Sequence, residues 1–183
     1  MLYTRKGDSG TTKTFGCDQR VSKSSNIAEA LGSLDEANSF IGLARAEAKG
    51  LNLEIIGKKF EDILFWSQEG FFIVQAEVAG AEKSVTEERV KEAELIIDSV
   101  EKELPPIKTF FISGENKLGA FLDVARTTTR RAERRVVHVN EEGLRKISPN
   151  TLAFLNRMSS LLYALSRLTS HKSGIKESAP SYK

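Results

Sequence analysis

Apolar residues recur at steps of three and four along most of this chain, the spacing that places them on one face of an α-helix. Five stretches show the pattern, at about 26–49, 52–78, 86–104, 116–140 and from 149 onward. The loops between them are short enough to join antiparallel neighbours. The pattern therefore predicts an all-α fold, an up-down bundle of five helices.

Capping residues mark several of the predicted helix ends. Asn26 is a candidate N-cap of the first helix, and Gly50 is its stop. The Pro-Pro pair that begins at Pro105 ends the third helix, because the residue before a proline disfavours helical geometry. Ser148 and Pro149 suit the N-cap and first turn of the fifth helix.

The fourth predicted helix carries a row of arginines beside its apolar stripe. Arg126, Arg130 and Arg134 follow one another at i, i+4 and i+8, whereas Arg131 and Arg135 point elsewhere. A guanidinium row held partly out of solvent is costly unless an anion meets it. The row favours a polyanion site, and the alternative is a solvated face braced by Arg–Glu pairs at helical spacing.

Residues 1–25 show no sustained periodicity and are rich in Gly, Ser, Thr and Lys. We interpret them as a long loop with one short strand, and loops of this length in a compact domain are usually functional. The segment KGDSGTTKT combines glycines, hydroxyls and ammonium groups, which suits phosphate. It lacks the spacing of a P-loop. A flexible polar N-terminus is the alternative.

The charge balance narrows the choice of partners. Lys and Arg number 27 against 25 Asp and Glu, so the net charge is only +2. A protein that binds nucleic acid or a membrane surface through most of its own surface usually has a larger excess of basic over acidic residues. The positive charge is therefore local. A single cysteine, Cys17, excludes an intrachain disulfide framework and fits a reducing compartment.

No apolar run resembles a signal peptide or approaches the ~18 residues of a membrane span, so we expect a cytoplasmic protein. At 183 residues, one domain is the default. We predict a single domain over 1–183, with a nucleotide-binding loop at 1–25, the helical bundle at 26–173 and a flexible tail at 174–183.

Four blocks, in this order and spacing, carry a resemblance to a known family. They are YTRKGDSGTTKTFG near the N-terminus, ALGSLDEANSFIG in the first helix, VARTTTRRAERRVV in the fourth and FLNRMSSLLYALSR in the fifth. Together they resemble the ATP:cob(I)alamin adenosyltransferases of the propanediol-utilisation type. The resemblance implies a homotrimer of ferritin-like five-helix bundles, with active sites between neighbouring subunits.

The resemblance also implies a reaction. The 5′-deoxyadenosyl group of ATP would pass to the cobalt of cob(I)alamin, giving adenosylcobalamin and triphosphate. ATP, Mg²⁺ and cobalamin are the implied ligands, and no metal-binding side chains are assigned. No acid or base is required, so His138 and His171 are expected to be ordinary structural or surface residues. A corrinoid reductase and an adenosylcobalamin-dependent enzyme are the implied partners, without nucleic acid or membrane.

Carried over residue by residue, the resemblance implies a set of site residues. Asp35 would pair with Arg126 across the subunit boundary, and Arg130 would face the phosphates. Phe111, in the connector FFISGEN, would fill the lower face of the corrinoid in place of its axial ligand, whose removal eases the reduction of cobalt(II). Phe110 is the alternative, because this connector is one residue shorter than the family's FILPGG-like segment. Those residues, Arg126, Arg130, Asp35 and Phe111, form the implied catalytic set. The implied nucleotide contacts are Lys6, Gly7, Asp8, Ser9, Thr14, Lys23, Arg130, Arg131, Glu133, Arg134 and Asn156.

Two other functions compete with this one. A nucleic-acid-binding helical module could use the arginine helix as its basic face, but Asp123 and Glu133 lie in that face and no aromatics are interleaved with the arginines. A non-catalytic nucleotide sensor could keep the fold without the corrinoid site. The altered connector, which lacks the family's proline and second glycine, is the feature that keeps this second alternative open, as the lesser of the interpretations.

Overall fold

A computed structural model describes residues 3–14 and 20–182, which form five helices and two short hairpins. The mainly helical, five-helix fold is thus confirmed, and the hairpins add to it. The helices are Asn26–Ala48 (α1), Phe60–Ala79 (α2), Glu87–Glu103 (α3), Lys117–Glu141 (α4) and Pro149–Lys172 (α5). Strand Thr11–Lys13 (β1) pairs antiparallel with Arg20–Ser22 (β2), and Glu54–Ile55 (β3) pairs with Lys58–Lys59 (β4).

The buried stripes of the five helices meet in one apolar core. α1 packs between α2 and α4, and α5 packs between α4 and α3. Gly70 allows α2 to approach α5 closely, because a Cβ there would lie 2.2 Å from the ring of Phe154. Trp66 meets the same ring edge to face, with centroids 5.9 Å apart. The largest fully buried side chains include Phe60, Phe71, Phe154, Leu34, Ile41, Leu122 and Met158.

Two predicted helix starts differ from the structure. The N-cap of α1 is Ser25, whose hydroxyl accepts from the Ala28 amide at 3.3 Å, and Asn26 is the first helical residue. The predicted start of α2 at residue 52 is wrong, because 52–59 form the β3–β4 hairpin. Its strand geometry buries Ile55 and leaves Ile56, with a positive φ of 48°, outside the core. Apolar residues at helical spacing here belong to a hairpin.

Glu77, a buried carboxylate of α2, fixes the start of α5. It accepts hydrogen bonds from the Ser148 amide at 2.7 Å and from the Thr151 hydroxyl. The Thr151 oxygen in turn accepts from the Val85 amide at 3.1 Å. Glu77 and Thr151 together therefore join α2, the segment before α3 and the first turn of α5.

We expect Glu77→Gln to destabilise the fold by about 1–3 kcal/mol. A carboxamide has only one acceptor oxygen, so its NH2 group would replace the acceptor of one of the two hydrogen bonds, from the Ser148 amide or from the Thr151 hydroxyl. Urea unfolding measures the change. The exposed neighbour Glu82 serves as a control, and Glu82→Gln should change the unfolding free energy by less than ~0.5 kcal/mol. Equal stabilities for the two variants would contradict this role of Glu77.

Candidate active site

A cavity of about 720 Å³ opens beside the α4–α5 pair. Its size falls in the range of small-molecule sites, roughly 300–1,000 Å³. The connector 107–116 forms one wall, one face of α4 and one face of α5 form the others, and Glu177 from the segment after α5 reaches its edge. The cavity thus lies where the sequence predicts the arginine flank and the aromatic connector.

The two helices line the cavity with small and polar side chains. Asn116 caps α4 by accepting from the Gly119 amide at 2.7 Å, and it also donates to the Ser170 hydroxyl at 2.8 Å. The Ser166 hydroxyl donates to the Gly119 carbonyl at 3.1 Å. These bonds join the start of α4 to the end of α5, and the residues that make them line the cavity.

Arg126 is partly buried at the wall of the cavity. Its Nε donates to Asp123 Oδ1 at 3.0 Å, and its guanidinium lies 5.8 Å from the centre of the Tyr163 ring. Asp35 lies exposed on α1. Within one chain the carboxylate partner of Arg126 is therefore Asp123. The pairing of Arg126 with Asp35 across a subunit boundary stays a prediction.

Arg130, one turn further along α4, is exposed and lines the same cavity. In the part of the chain that the structure describes, its guanidinium forms no ion pair. Arg134 donates to the Arg130 carbonyl at 3.1 Å, but its side chain does not line this cavity. The predicted flank of three arginines therefore presents only Arg126 and Arg130 to the cavity.

The remaining arginines of α4 face a different part of the surface. Arg131 pairs with Glu36, and Arg135 approaches Glu29 at 3.5 Å, so both reach carboxylates of α1. Their separation from Arg126 and Arg130 agrees with the helical spacing. A second cavity, of about 400 Å³, is lined by cationic or titratable side chains alone: Arg131, Arg134, Arg135 and His138.

Glu133 and Asn156, which the resemblance assigns to the nucleotide site from two different helices, do lie together. Asn156 Nδ2 donates to Glu133 Oε1 at 3.0 Å. Arg157 donates to Asn156 Oδ1 at 2.7 Å and pairs with Glu94 at 2.8 Å. The Asn156 amide is thereby oriented from both sides.

The N-terminal loop folds back on itself through Lys23. The Lys23 amide donates to the Gly10 carbonyl at 2.9 Å, and a Cβ on Gly7 would lie 3.2 Å from the Lys23 ammonium. Gly7 and Lys23, two predicted phosphate contacts, are therefore adjacent. Lys6, Asp8 and Ser9 lie exposed, whereas Thr14 is buried. Residues 15–19 of the predicted loop, including Cys17, lie outside the described residues.

Arg20 is a site candidate that the sequence pattern missed. Its guanidinium donates to the Thr11 carbonyl and to the Thr11 hydroxyl, both at 2.7 Å, and to the Lys6 carbonyl. It thus braces the loop from strand β2. The antiparallel register, which sets Thr11 opposite Ser22, brings it there. None of the described residues of this loop, 3–14 and 20–25, lines the cavity beside α4 and α5.

Phe110 and Phe111 both line the cavity but differ in exposure. Phe110 is 76% exposed, whereas Phe111 is half-buried under the guanidinium of Arg167, whose Cζ lies 3.9 Å from the ring centre. Arg167 is 4% exposed and pairs with Glu177. Neither Arg167 nor Glu177 is among the predicted site residues, because the contact between Arg167 and Phe111 joins distant parts of the sequence.

Two further properties concern the described residues alone. Across residues 3–14 and 20–182, no three His, Cys, Asp or Glu side chains converge as they would around a metal ion. The described side chains therefore offer no cluster that would hold a metal ion by itself. None of the helices in that part of the chain combines the length and apolar character needed to cross a membrane.

Comparison with known proteins identifies relatives over nearly the whole chain. The chain is 38% identical over 181 residues to a corrinoid adenosyltransferase of Bacillus subtilis, covering 95% of this chain and 89% of that protein. It is 34% identical to the corrinoid adenosyltransferase PduO of Citrobacter freundii, of whose length it spans 50%.

A solved structure is similar as well. It is a variant of the PduO-type ATP:corrinoid adenosyltransferase of Lactobacillus reuteri, complexed with cobalamin and ATP. It matches with a TM-score of 0.86 at 26% identity and covers 99% of both chains. The model of the family described as cobalamin adenosyltransferase matches residues 2–169. These matches confirm the resemblance, and the chain belongs to the cobalamin adenosyltransferase family.

Proposed function

We propose that this chain transfers the 5′-deoxyadenosyl group of ATP to the cobalt of a reduced corrinoid. The observation that carries the proposal is the cavity itself, where Arg126 and Arg130 of α4 face the aromatic connector that holds Phe111. Cations on one side and an aromatic ring on the other suit a polyphosphate and a large planar ligand. The relatives supply the identity of both substrates.

In the proposed reaction, cobalt(I) attacks C5′ of ATP, a Co–C bond forms, and the C5′–O bond breaks. The bonding electrons leave with the oxygen of triphosphate, so negative charge grows there in the transition state. Fixed donors at that oxygen lower the barrier, and removing one such donor in other enzymes costs roughly 10²–10³ in rate. Arg130 is suited to this task, because its guanidinium forms no ion pair in the described chain.

No proton is transferred in this step, so no general acid or base is needed. His138 lies outside the cavity and approaches Glu142 at 3.2 Å, and His171 is an exposed residue of the last turn of α5. Mg²⁺ belongs to the proposal as the companion of the ATP phosphates. We assign it no protein ligand.

The proposed site is completed by a neighbouring subunit of a homotrimer. Two observations support this arrangement. The described part of the N-terminal loop, with Gly7, Lys23 and the Arg20 brace, does not line the cavity of its own chain. The exposed Asp35 on α1 remains available to a neighbour. ATP would bind between the N-terminal loop of one subunit and helix α4 of the next.

One assay tests the proposed function. The protein is mixed with ATP, Mg²⁺ and chemically reduced cobalamin, and the visible spectrum is followed for the loss of cobalt(I). We expect the loss to depend on both protein and ATP, with adenosylcobalamin and triphosphate as products. A nucleotide sensor would bind ATP without this change, and a nucleic-acid-binding module would require neither ligand.

We expect Asp35→Asn to weaken both assembly and turnover, because Arg126 would lose its partner in the neighbouring subunit. Sedimentation velocity measures the first effect, as a shift towards smaller species at low protein concentration. Asp98, an exposed carboxylate of α3, provides the control variant Asp98→Asn. If Asp35→Asn sediments and turns over as the wild type does, the intersubunit pairing is wrong.

A further inference from the structure

Arg167 is a buried cation beside the cavity, and the proposed reaction gives it no role. Its side chain is almost fully withdrawn from solvent, whereas Arg126 is partly buried and Arg130 is exposed. Burying a guanidinium is costly unless its charge and its donors are satisfied. The partners that satisfy Arg167 therefore indicate what it does.

Those partners lie on three different segments. Its guanidinium stacks on the Phe111 ring of the connector at 3.9 Å, well within the ~6 Å of a cation–π contact. Its Nε pairs with Glu177 of the C-terminal segment, and its Nη1 donates to the Tyr163 hydroxyl of α5 at 3.4 Å. Arg167 thus links the connector, the C-terminal segment and α5 at the edge of the cavity.

The C-terminal segment is held to the connector by its backbone as well. The Ile112 amide donates to the Ser178 carbonyl at 2.8 Å, and the Ser178 amide donates to Glu115 Oε1 at 3.1 Å. The sequence predicts a flexible tail here. In the structure, Ser178 is bonded to the connector just after Phe111, and Glu177 pairs with the arginine that stacks on Phe111.

We propose that the C-terminal segment is a latch that orients Phe111 in the cavity. Glu177 fixes the guanidinium plane of Arg167, and that plane fixes the Phe111 ring. Arg167 and Glu177 are then positioning residues for the ligand that occupies the connector side of the cavity. The inference rests on the proposed function only for the identity of that ligand, the corrinoid.

A brace that served stability alone would act differently. It would lower the stability of the whole fold when broken, and it would affect the two substrates alike. The latch acts on the connector, so its loss should affect the corrinoid and leave ATP binding unchanged. Two measurements separate these cases, and the first needs neither substrate.

The first measurement is hydrogen exchange of the ligand-free protein. In Glu177→Gln and in a chain ending at Gly174, we expect the Ile112 amide to exchange at least tenfold faster than in the wild type. Amides in the middle of α5 should keep their protection, which shows that the fold is intact. Unchanged exchange at Ile112 in both variants would overturn the latch, whatever the protein catalyses.

The second measurement compares the KM values of the two substrates. We expect Glu177→Gln to raise the KM for cob(I)alamin roughly tenfold, within the usual range of a coupling between two sites. The KM for ATP should stay unchanged. Arg167→Lys, which keeps the charge but loses the planar stacking surface, should have the same effect. Glu103→Gln is the matched control, since Glu103 pairs with Lys172 of α5 at 3.2 Å outside the cavity.

Three results would overturn the latch in this assay: equal changes in both KM values, no change in either, or tighter corrinoid binding. The last would mean that the segment covers the cavity and competes with the ligand. Absence of adenosyl transfer in the wild type would instead overturn the proposed function, and the exchange experiment would still test the latch.

Discussion

Arg130→Ala is expected to lower kcat/KM for adenosyl transfer by roughly 10²–10³, the usual effect of removing one donor from a developing oxyanion. The exposed Arg130 side chain lines the cavity and makes no ion pair in the described chain, so its positive charge is free to meet the leaving triphosphate. Arg126→Ala is expected to act in the same direction. Steady-state kinetics with chemically reduced cobalamin measures both effects.

The exposure of Arg130 also makes this variant easy to interpret. Because its guanidinium makes no ion pair in the described chain, the helical circular dichroism and the thermal midpoint should match those of the wild type. Arg130→Lys should fall between, since an ammonium keeps the charge but not the planar fork of donors. Lys91, which pairs with Glu87 on the surface of α3, offers Lys91→Ala as a distant control. Full turnover by Arg130→Ala would remove the basis of the proposed function.

Helical spacing alone predicted much of this site, because the faces of α4 follow from local geometry. The buried stripe and the separation of Arg131 and Arg135 from Arg126 and Arg130 need only 3.6 residues per turn. Each step of four residues turns a side chain about 40° further around the helix, so Arg134 lies about 80° from Arg126 and meets Arg131 at the second cavity. Its predicted place beside Arg126 and Arg130 therefore differs from the structure.

The periodicity of apolar residues could not predict other parts of the fold. Residues 52–59 have apolar residues at helical spacing, yet they form a hairpin that returns the chain to Phe60, whose amide donates to the Leu53 carbonyl at 3.0 Å. Arg20 reaches the loop through a strand register that the sequence does not display. Arg167 meets Phe111 across 56 positions of sequence, and only the packed structure brings them together.

Phe111→Ala is expected to lower turnover roughly 10- to 100-fold, the rate equivalent of losing the burial of one phenyl ring. The structure favours Phe111 over Phe110 for this role, because Phe111 is half-buried against Arg167 whereas Phe110 is largely exposed. Phe110→Ala, made at the neighbouring position of the same connector, should therefore retain most of the activity. The opposite ranking of the two variants would assign the role to Phe110.

The starting oxidation state of the corrinoid gives this comparison a second readout. In the role that the resemblance implies, the ring fills the space of a lower ligand and makes cobalt(II) easier to reduce. The defect of Phe111→Ala should then be larger when the assay starts from cob(II)alamin and a reductant than when it starts from cob(I)alamin. An equal defect from both starting points would mean that the ring acts by packing against the corrinoid alone, with no part in reduction.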